Sequence, residues 1–204
     1  MKSIVFCDII EIMGNTVGSL TQKQKSIITG SLLGDGSLQL QKGRSNAFLA
    51  FNHALAYKEY VDWKYKHLAN LVGTPPKARK GNGKRMAYRF TTLSFPELTA
   101  LYRKFYDGNK KIIPKDLILS PLALAVWFMD DGCKCRNSLY LNTQGFDLSD
   151  QNKLQEILRN QWSIDTTLNK DKKYYRIRIR AKDVDRFKKI VSPFILSLFY
   201  YKLV

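Results

Sequence analysis

Cysteine, histidine and acidic residues are all scarce in this 204-residue chain, which holds 3 Cys, 2 His and 17 Asp+Glu against 34 Lys+Arg. Three cysteines (Cys7, Cys133, Cys135) are too few for a disulfide scaffold and suit a reducing compartment. Cys133 and Cys135 form C-x-C rather than C-x-x-C, and only His53 and His67 could join them, so a zinc centre is not expected. Long apolar runs are missing too. The longest, PLALAVWFM at 121–129, falls far short of the roughly 20 residues a spanning helix needs. Asp8 and Glu11 interrupt the N-terminal segment where a secretory signal is apolar, so no signal peptide is read. No G-x-x-x-x-G-K-[ST] occurs, which removes support for a P-loop nucleotide engine.

What is present is positive charge on a chain able to fold. The net charge is +17, and 45% of residues are hydrophobic, enough for a sizeable core. Such an excess points to a polyanionic partner, nucleic acid before an anionic membrane. No basic amphipathic helix with a clean apolar face stands out, so a membrane role is not expected.

The chain reads as two similar halves, 21–106 and 121–204, joined by a linker at 107–120 and preceded by an extension at 1–20. Each half opens with an apolar helix ending on aspartate and glycine. The first follows the capping residue Thr21 and stops at Gly34-Asp35-Gly36; the second starts at Pro121 after Ser120 and stops at Asp130-Asp131-Gly132. A hairpin comes next in each half (37–41 with 48–52; 138–142 after a basic turn), then a helix (57–72; 148–162, with Ser149 as N-cap). A second hairpin turns at Gly81-Asn82-Gly83 in the first half and near Asn169-Lys170-Asp171 in the second. Helical material (95–106; 181–195) closes each half. The order α-β-β-α-β-β-α, twice, predicts an α+β fold with pseudo-two-fold symmetry. Tyr57, Tyr60, Trp63, Tyr65, Trp127 and Trp162 fall at helical spacing and are expected in the core.

Two strands carry a row of charge. In YYRIRIR, Arg176, Arg178 and Arg180 share one face, and Tyr175, Ile177 and Ile179 the other. Arg85, Ala87, Arg89 and Thr91 repeat this against Met86, Tyr88 and Phe90. A solvated sheet face usually mixes signs, and neither row holds an acidic residue. Such ribbons fit the major groove of duplex DNA. A strand of ~9 residues spans ~30 Å, so each half can track about nine base pairs and the pair about eighteen.

The two helix ends, ITGSLLGDG at 28–36 and LAVWFMDDG at 124–132, resemble the nine-residue motif of the LAGLIDADG homing endonucleases, in the branch with both motifs in one chain. KKIIPKDL at 110–117, LNTQGF at 141–146 and YYKL at 200–203 extend the resemblance over nearly all of 21–204. It implies two halves packed through their motif helices, with two antiparallel sheets forming a DNA-binding saddle. The sixth motif place is Leu33 and Met129 rather than aspartate, and the seventh is Gly34 in one helix but Asp130 in the other. Close packing of the helices needs small residues, which Gly30 and Gly34 supply on one side and Ala123 and Ala125 on the other.

The eighth place, Asp35 and Asp131, is the acidic place the family uses; Asp131 is preferred to Asp130 by alignment alone. Taken singly, an aspartate before glycine reads as helix punctuation. Two of them at helix C-termini, where the macrodipole disfavours anions, call for cationic partners. Two facing carboxylates repel unless a cation intervenes, and hard oxygen ligands select Mg²⁺, with Mn²⁺ as a substitute. Ca²⁺ is expected to bind without supporting cleavage. Gly34 and Asp130 join Asp35 and Asp131 in the expected metal site. The resemblance assigns active-site lysines to Lys111 (adjoining Lys110 is the alternative) and Lys202, and a solvent-holding role to Gln144, whose first-half counterpart is Ala54.

Expected DNA contacts come from each hairpin in turn. The first supplies Gln39, Gln41, Lys42 and Arg44; the second Lys77, Arg79, Lys80, Lys84, Arg85 and Arg89. In the other half they are Lys134, Arg136, Tyr140 and Asn142, then Lys170, Lys172, Lys173, Arg176, Arg178 and Arg180. The implied function is metal-dependent, site-specific cleavage of double-stranded DNA by a monomer, leaving 3′ overhangs. An intron RNA maturase, or an inactive DNA-binding protein on the same scaffold, is the alternative. The expected setting is intracellular, an organelle or microbe that hosts the encoding intron.

Overall fold

The computed structural model describes residues 20–204 except 82 and 84. The extension before Leu20 and the expected contact Lys84 lie outside the described residues. The described residues fold into two four-stranded antiparallel sheets, a short two-stranded one and six α-helices, the α+β arrangement the sequence predicts.

Helix α1 (Gln22–Leu33) is followed by strands β1 (Ser37–Gln39) and β2 (Phe48–Ala54), helix α2 (Lys58–Leu68), strands β3 (Lys77–Lys80) and β4 (Met86–Thr91), and helix α3 (Pro96–Phe105). A short hairpin, β5 (Tyr106–Asp107) with β6 (Lys110–Lys111), begins the expected linker. The second set is α4 (Pro121–Asp131), β7 (Gly132–Cys135), β8 (Ser138–Leu141), α5 (Leu148–Trp162), β9 (Thr166–Asp171), β10 (Tyr174–Ile179) and α6 (Val184–Val191). The strand orders are β1-β2-β4-β3 and β7-β8-β10-β9, the same topology twice.

Local chemistry sets the helix starts. Thr21 and Gln24 form a reciprocal capping box on α1. Ser120 accepts the Ala123 N–H at the start of α4, and Pro121 takes the first helical position, where its missing N–H costs nothing. The cap of α5 differs from expectation: Asp147, not Ser149, accepts the Asp150 N–H, so the helix begins at Leu148. The last hairpin also turns later than predicted, at Lys172-Lys173. Lys172 takes a left-handed φ of 54° and lets strand pairing continue to Asp171–Tyr174.

Helices α1 and α4 form the seam. Seven consecutive α4 residues, Ala123 to Met129, are buried, so this helix has no solvent face over two turns. Gly30 makes the approach possible. A Cβ there would lie 2.3 Å from the Ala123 carbonyl oxygen and 2.7 Å from Val126 Cβ. Leu33 and Met129 are both buried, which agrees with apolar residues at the sixth motif place. Tyr60 and Trp127 are fully buried, and Tyr57, Trp63, Tyr65 and Trp162 pack partly buried against the same core.

The expected alternation holds on β10 and at the inner end of β4 and lapses toward the β3–β4 hairpin, where Met86 is exposed instead of facing the core because the strand end projects past it. Ile177 and Ile179 are fully buried, and Arg176 and Arg178 lie half-buried on the other face of β10. Phe90 is buried on β4, with Arg85 and Arg89 exposed. Among the described residues, no helix is long and apolar enough to cross a membrane.

Candidate metal and nucleic-acid site

The two motif helices end side by side, and each delivers an aspartate to the base of the sheets. Asp131 is the last residue of α4; Asp35 follows the α1 cap, Gly34. Both carboxyls are held above the usual range, mainly by burial. Asp130 pushes Asp35 up further, and Asp35 and then Asp130 push Asp131 up to about 7. Neighbouring lysines offset these shifts only in part, and carboxylate oxygens are the hard donors that Mg²⁺ prefers. The donor chemistry present here therefore fits a divalent ion.

Two lysines supply the cationic partners that carboxylates at helix C-termini require. Lys111 Nζ donates to the carbonyls of Gly34 (3.1 Å) and Gly36 (3.0 Å), beyond the end of α1. Lys202 Nζ donates to the carbonyls of Phe128, Met129 and Asp130 in the last turn of α4. Lys202 satisfies carbonyls that a helix end leaves unpaired, Lys111 satisfies carbonyls just past one, and each offsets the negative end of a helix dipole. The two lysines come from equivalent places, after α3 and after α6. Burial lowers the pKa of both, and the aspartates oppose that shift. Between the adjoining candidates, Lys111 is the one at the site; Lys110 instead pairs with exposed Asp147 at 2.8 Å.

The seventh motif place breaks the symmetry. The Asp130 side chain crosses the seam toward Gly34, where any Cβ would lie 2.4 Å from Asp130 Cβ. There it accepts the Asp35 N–H (3.3 Å) and binds Lys64 of α2 through both oxygens, at 3.0 and 3.2 Å. The Lys64 and Asp130 side chains are both fully buried. Lys64 Nζ also lies 3.4 Å from His53 Nε2, and His53 Nδ1 lies 3.5 Å from Asp35 Oδ2. Burial, with the Lys64 charge adding to it, lowers the His53 pKa to about 4, so the imidazole is neutral near pH 7. Asp35, His53 and Asp130 each bring one ligand atom within 4.8 Å of the others. The Lys64 ammonium already neutralises Asp130 there, which separates Asp130 from the exposed carboxylate of Asp35 that a metal can use.

Sequence reasoning missed His53 and Lys64. His53 sits on the inward face of β2, where alternation with buried Leu49 and Phe51 was the available signal. The Gln144 amide donates to Asp171 at 2.8 Å, which ties it to the β9–β10 hairpin.

The expected nucleic-acid contacts divide by how they are held. Gln39, Gln41, Lys42, Arg44, Lys77, Arg79, Lys80, Arg85 and Arg89 are all exposed. An open groove over the first sheet runs from Asp35 past Gln39 and Asn52 to Lys77, Arg79 and Arg89. On the second sheet Lys134, Arg136, Lys170, Lys172, Lys173 and Arg180 are exposed, and Asn142 is half-buried. Two arginines there are anchored. Arg176 lies over the Tyr140 ring at 4.3 Å, and Arg178 Nε donates to Ser138 Oγ at 3.0 Å.

The sequence pattern of the LAGLIDADG DNA endonuclease family matches residues 25–187. The chain belongs to that family. It is 32% identical over 210 residues to the DNA endonuclease I-ChuI of Chlamydomonas applanata, covering 91% of this chain and 96% of that protein. It is also 35% identical over 209 residues to the cytochrome b mRNA maturase bI2 of Saccharomyces cerevisiae, covering 94% of this chain. The chain spans only about half of that maturase, 49% of its length. Among solved structures, the homing endonuclease I-WcaI bound to its DNA recognition sequence superposes with a TM-score of 0.84 at 28% identity, over 91% of this chain and 88% of that one. I-DmoI in complex with DNA and Ca shares the fold at 17% identity and a TM-score of 0.54, over 86% and 91% of the two chains.

Proposed function

We propose that this LAGLIDADG protein is a monomeric homing endonuclease that cuts both strands of a long DNA target, about 18 base pairs by strand length. The observation that carries this reading is the pair of raised carboxyls, Asp35 and Asp131, at adjoining helix ends beneath two basic sheets. A bound Mg²⁺, held by these aspartates, supplies charge neutralisation and lowers the pKa of water. Mn²⁺ substitutes for it, and Ca²⁺ binds without supporting cleavage. Lys111 and Lys202 add positive charge beside each carboxylate, where charge builds on a phosphate in the transition state.

The sheets position the substrate. Exposed Arg79, Arg85 and Arg89 on one side, and Lys170, Lys172 and Lys173 on the other, track the backbone. Arg176 and Arg178, immobilised by Tyr140 and Ser138, are suited to base edges, because little side-chain freedom remains to be lost on binding. Cleavage across the narrow region between the two aspartates leaves short 3′ overhangs. The setting is the organelle or microbe that hosts the encoding intron.

Likeness to a cytochrome b mRNA maturase over 94% of the chain supports a second reading, in which the same scaffold assists splicing of its host intron RNA. The two activities are compatible.

The test is cleavage of a randomised duplex library in Mg²⁺, Ca²⁺ and EDTA, beside the Asp35→Asn/Asp131→Asn double variant. Enrichment of one long, split-half sequence in Mg²⁺ only, lost in the double variant, supports the endonuclease. Binding without cleavage by the wild type transfers the assignment to the RNA or binding-only reading.

A further inference from the structure

The two aspartates are not held alike. Around Asp35 the side chains close a ring. The Asp35 N–H donates to Asp130 Oδ2, Asp130 binds Lys64, Lys64 reaches His53 Nε2, and His53 Nδ1 faces Asp35 Oδ2. The ring fixes the imidazole tautomer. With the Lys64 ammonium as donor, Nε2 accepts and the ring proton lies on Nδ1, the nitrogen 3.5 Å from Asp35 Oδ2. Asp130 belongs to the second motif yet serves the first.

Asp131 has no such ring among the described residues. The motif place that would send a carboxylate toward it from the first helix is Gly34, which has no side chain. Strand register identifies the counterpart of His53. Ser37 pairs with Ala50 and Cys133 with Tyr140, so Tyr140 stands in the place of Ala50; counting three residues on, two past the end of β8, puts Thr143 in the place of His53. Thr143 is fully buried, and its hydroxyl has no partner among the described residues. The asymmetry is therefore built from three positions on separate elements: β2, α2 and the end of α4.

We propose that His53, Lys64 and Asp130 form a positioning ring that fixes the Asp35 carboxylate alone, so that the strand scission served by Asp35 depends on the ring and the scission served by Asp131 does not. The proposal rests on the endonuclease reading above. It makes the enzyme two unequal nicking centres in one chain. His53 touches neither DNA nor the reacting phosphate in this account; it acts through Asp35. Outer-shell partners of metal-binding carboxylates and imidazoles contribute about 10–100-fold to affinity or activity, and the ring should act within that range.

The experiment uses the target recovered from the library, labelled separately on each strand, with single-turnover cleavage of each strand followed for the wild type and His53→Thr. The variant installs the residue that the second half carries at the same place. The expected result is a loss of about 10-fold or more in the rate of one strand, with the other within about twofold and DNA affinity in Ca²⁺ unchanged. Nicked duplex should then accumulate. Equal slowing of both strands, or of neither, overturns the proposal and leaves the endonuclease reading standing. A wild type that cuts no duplex overturns that reading, and this proposal with it.

A second arm reads the ring without activity. The chain has only two histidines, so imidazole ¹⁵N spectra at pH 7 resolve His53 from His67. His53 should show the Nδ1–H tautomer in the wild type and lose that fixed preference in Lys64→Met/Asp130→Leu, where both buried charges are removed together. An Nε2–H tautomer in the wild type overturns the ring.

Discussion

Gly34 and Asp130 hold the same place in the two motifs, and the side chain of one fills the space left by the lack of a side chain in the other. A Cβ on Gly34 would meet Asp130 Cβ at 2.4 Å and Asp130 Oδ2 at 2.8 Å. The repeat is thus symmetric in its backbone and complementary, not symmetric, at this step of its seam. Asp35 and Asp131 on either side differ in what surrounds them for this reason.

Replacing either eighth-place aspartate should stop double-strand cleavage. Asp35→Asn or Asp131→Asn keeps the shape and removes a metal-binding charge. Cutting of the strand served by the replaced aspartate should fall by roughly 10³-fold, the scale of several kcal/mol of lost charge stabilisation, and leave nicked duplex. Duplex affinity in Ca²⁺ should change only a few-fold. Cleavage of both strands at near wild-type rate would mean that other carboxylates do the work.

The adjoining lysines should separate cleanly. Lys111→Met removes hydrogen bonds to the Gly34 and Gly36 carbonyls and should cost about 1–3 kcal/mol together with most activity. Lys110→Met removes only an exposed pair with Asp147 and should leave both stability and cleavage nearly unchanged. Denaturant midpoints and cleavage rates measured side by side decide this. Similar losses in both variants would contradict the assignment.

The pH dependence of metal-free stability should carry a signature of Asp131. Its carboxyl is raised from 3.8 to about 7, so the folded chain holds that proton more tightly than the unfolded chain. Stability from this group is present at low pH and is lost as pH rises from about 4 through 7. His53 has the opposite sign, because its pKa is lowered from 6.5 to about 4, and its contribution recovers over much of the same window. The informative quantity is therefore the difference between Asp131→Asn and the wild type. Without metal, the variant should gain relative stability as pH climbs to 8, and Mg²⁺ should shrink the gap by stabilising the wild-type carboxylate. A difference that stays flat with pH would refute the raised carboxyl.

Gly30 should resist enlargement. Gly30→Ala places a Cβ 2.3 Å from the Ala123 carbonyl oxygen, a backbone atom that moves only if α4 moves. Overpacking of this kind costs about 1–3 kcal/mol. That should lower the melting temperature by roughly 2–12 °C in a chain of this length. Calorimetry checks it, and an unchanged transition would mean the helices separate without cost.

Binding should be strongly salt-dependent. If ~10 phosphates are neutralised, log K against log salt should slope near −9. A slope shallower than about −3 would remove the extended-groove mode of binding.

Much of this architecture was legible in the sequence because it rests on local chemistry. The capping residue Thr21, the Ser120-Pro121 start of α4 and the Arg/Ile alternation of β10 all state their structure within a few residues. Lys111 and Lys202 were found through the family resemblance, since nothing in their neighbours says that they reach helix ends 75 and 74 residues away. His53 and Lys64 were not legible. A histidine between apolar strand residues and a lysine on an otherwise ordinary helix gain meaning only when Asp130 crosses the seam. The turn at Lys172-Lys173 was misplaced because Asn169 and Asp171 carry stronger turn propensity, and strand pairing overrode it.

The lysine that serves the end of α1 does not belong to the half that contains α1. Lys111 lies in the short hairpin after Tyr106, within the segment that divides the repeats. A cut at 106/107 that respects the repeat would strip the first aspartate of its cation, and any chimera built by exchanging repeats must carry that hairpin with the upstream partner. The unit of duplication in the sequence and the unit of exchange in the protein have different borders.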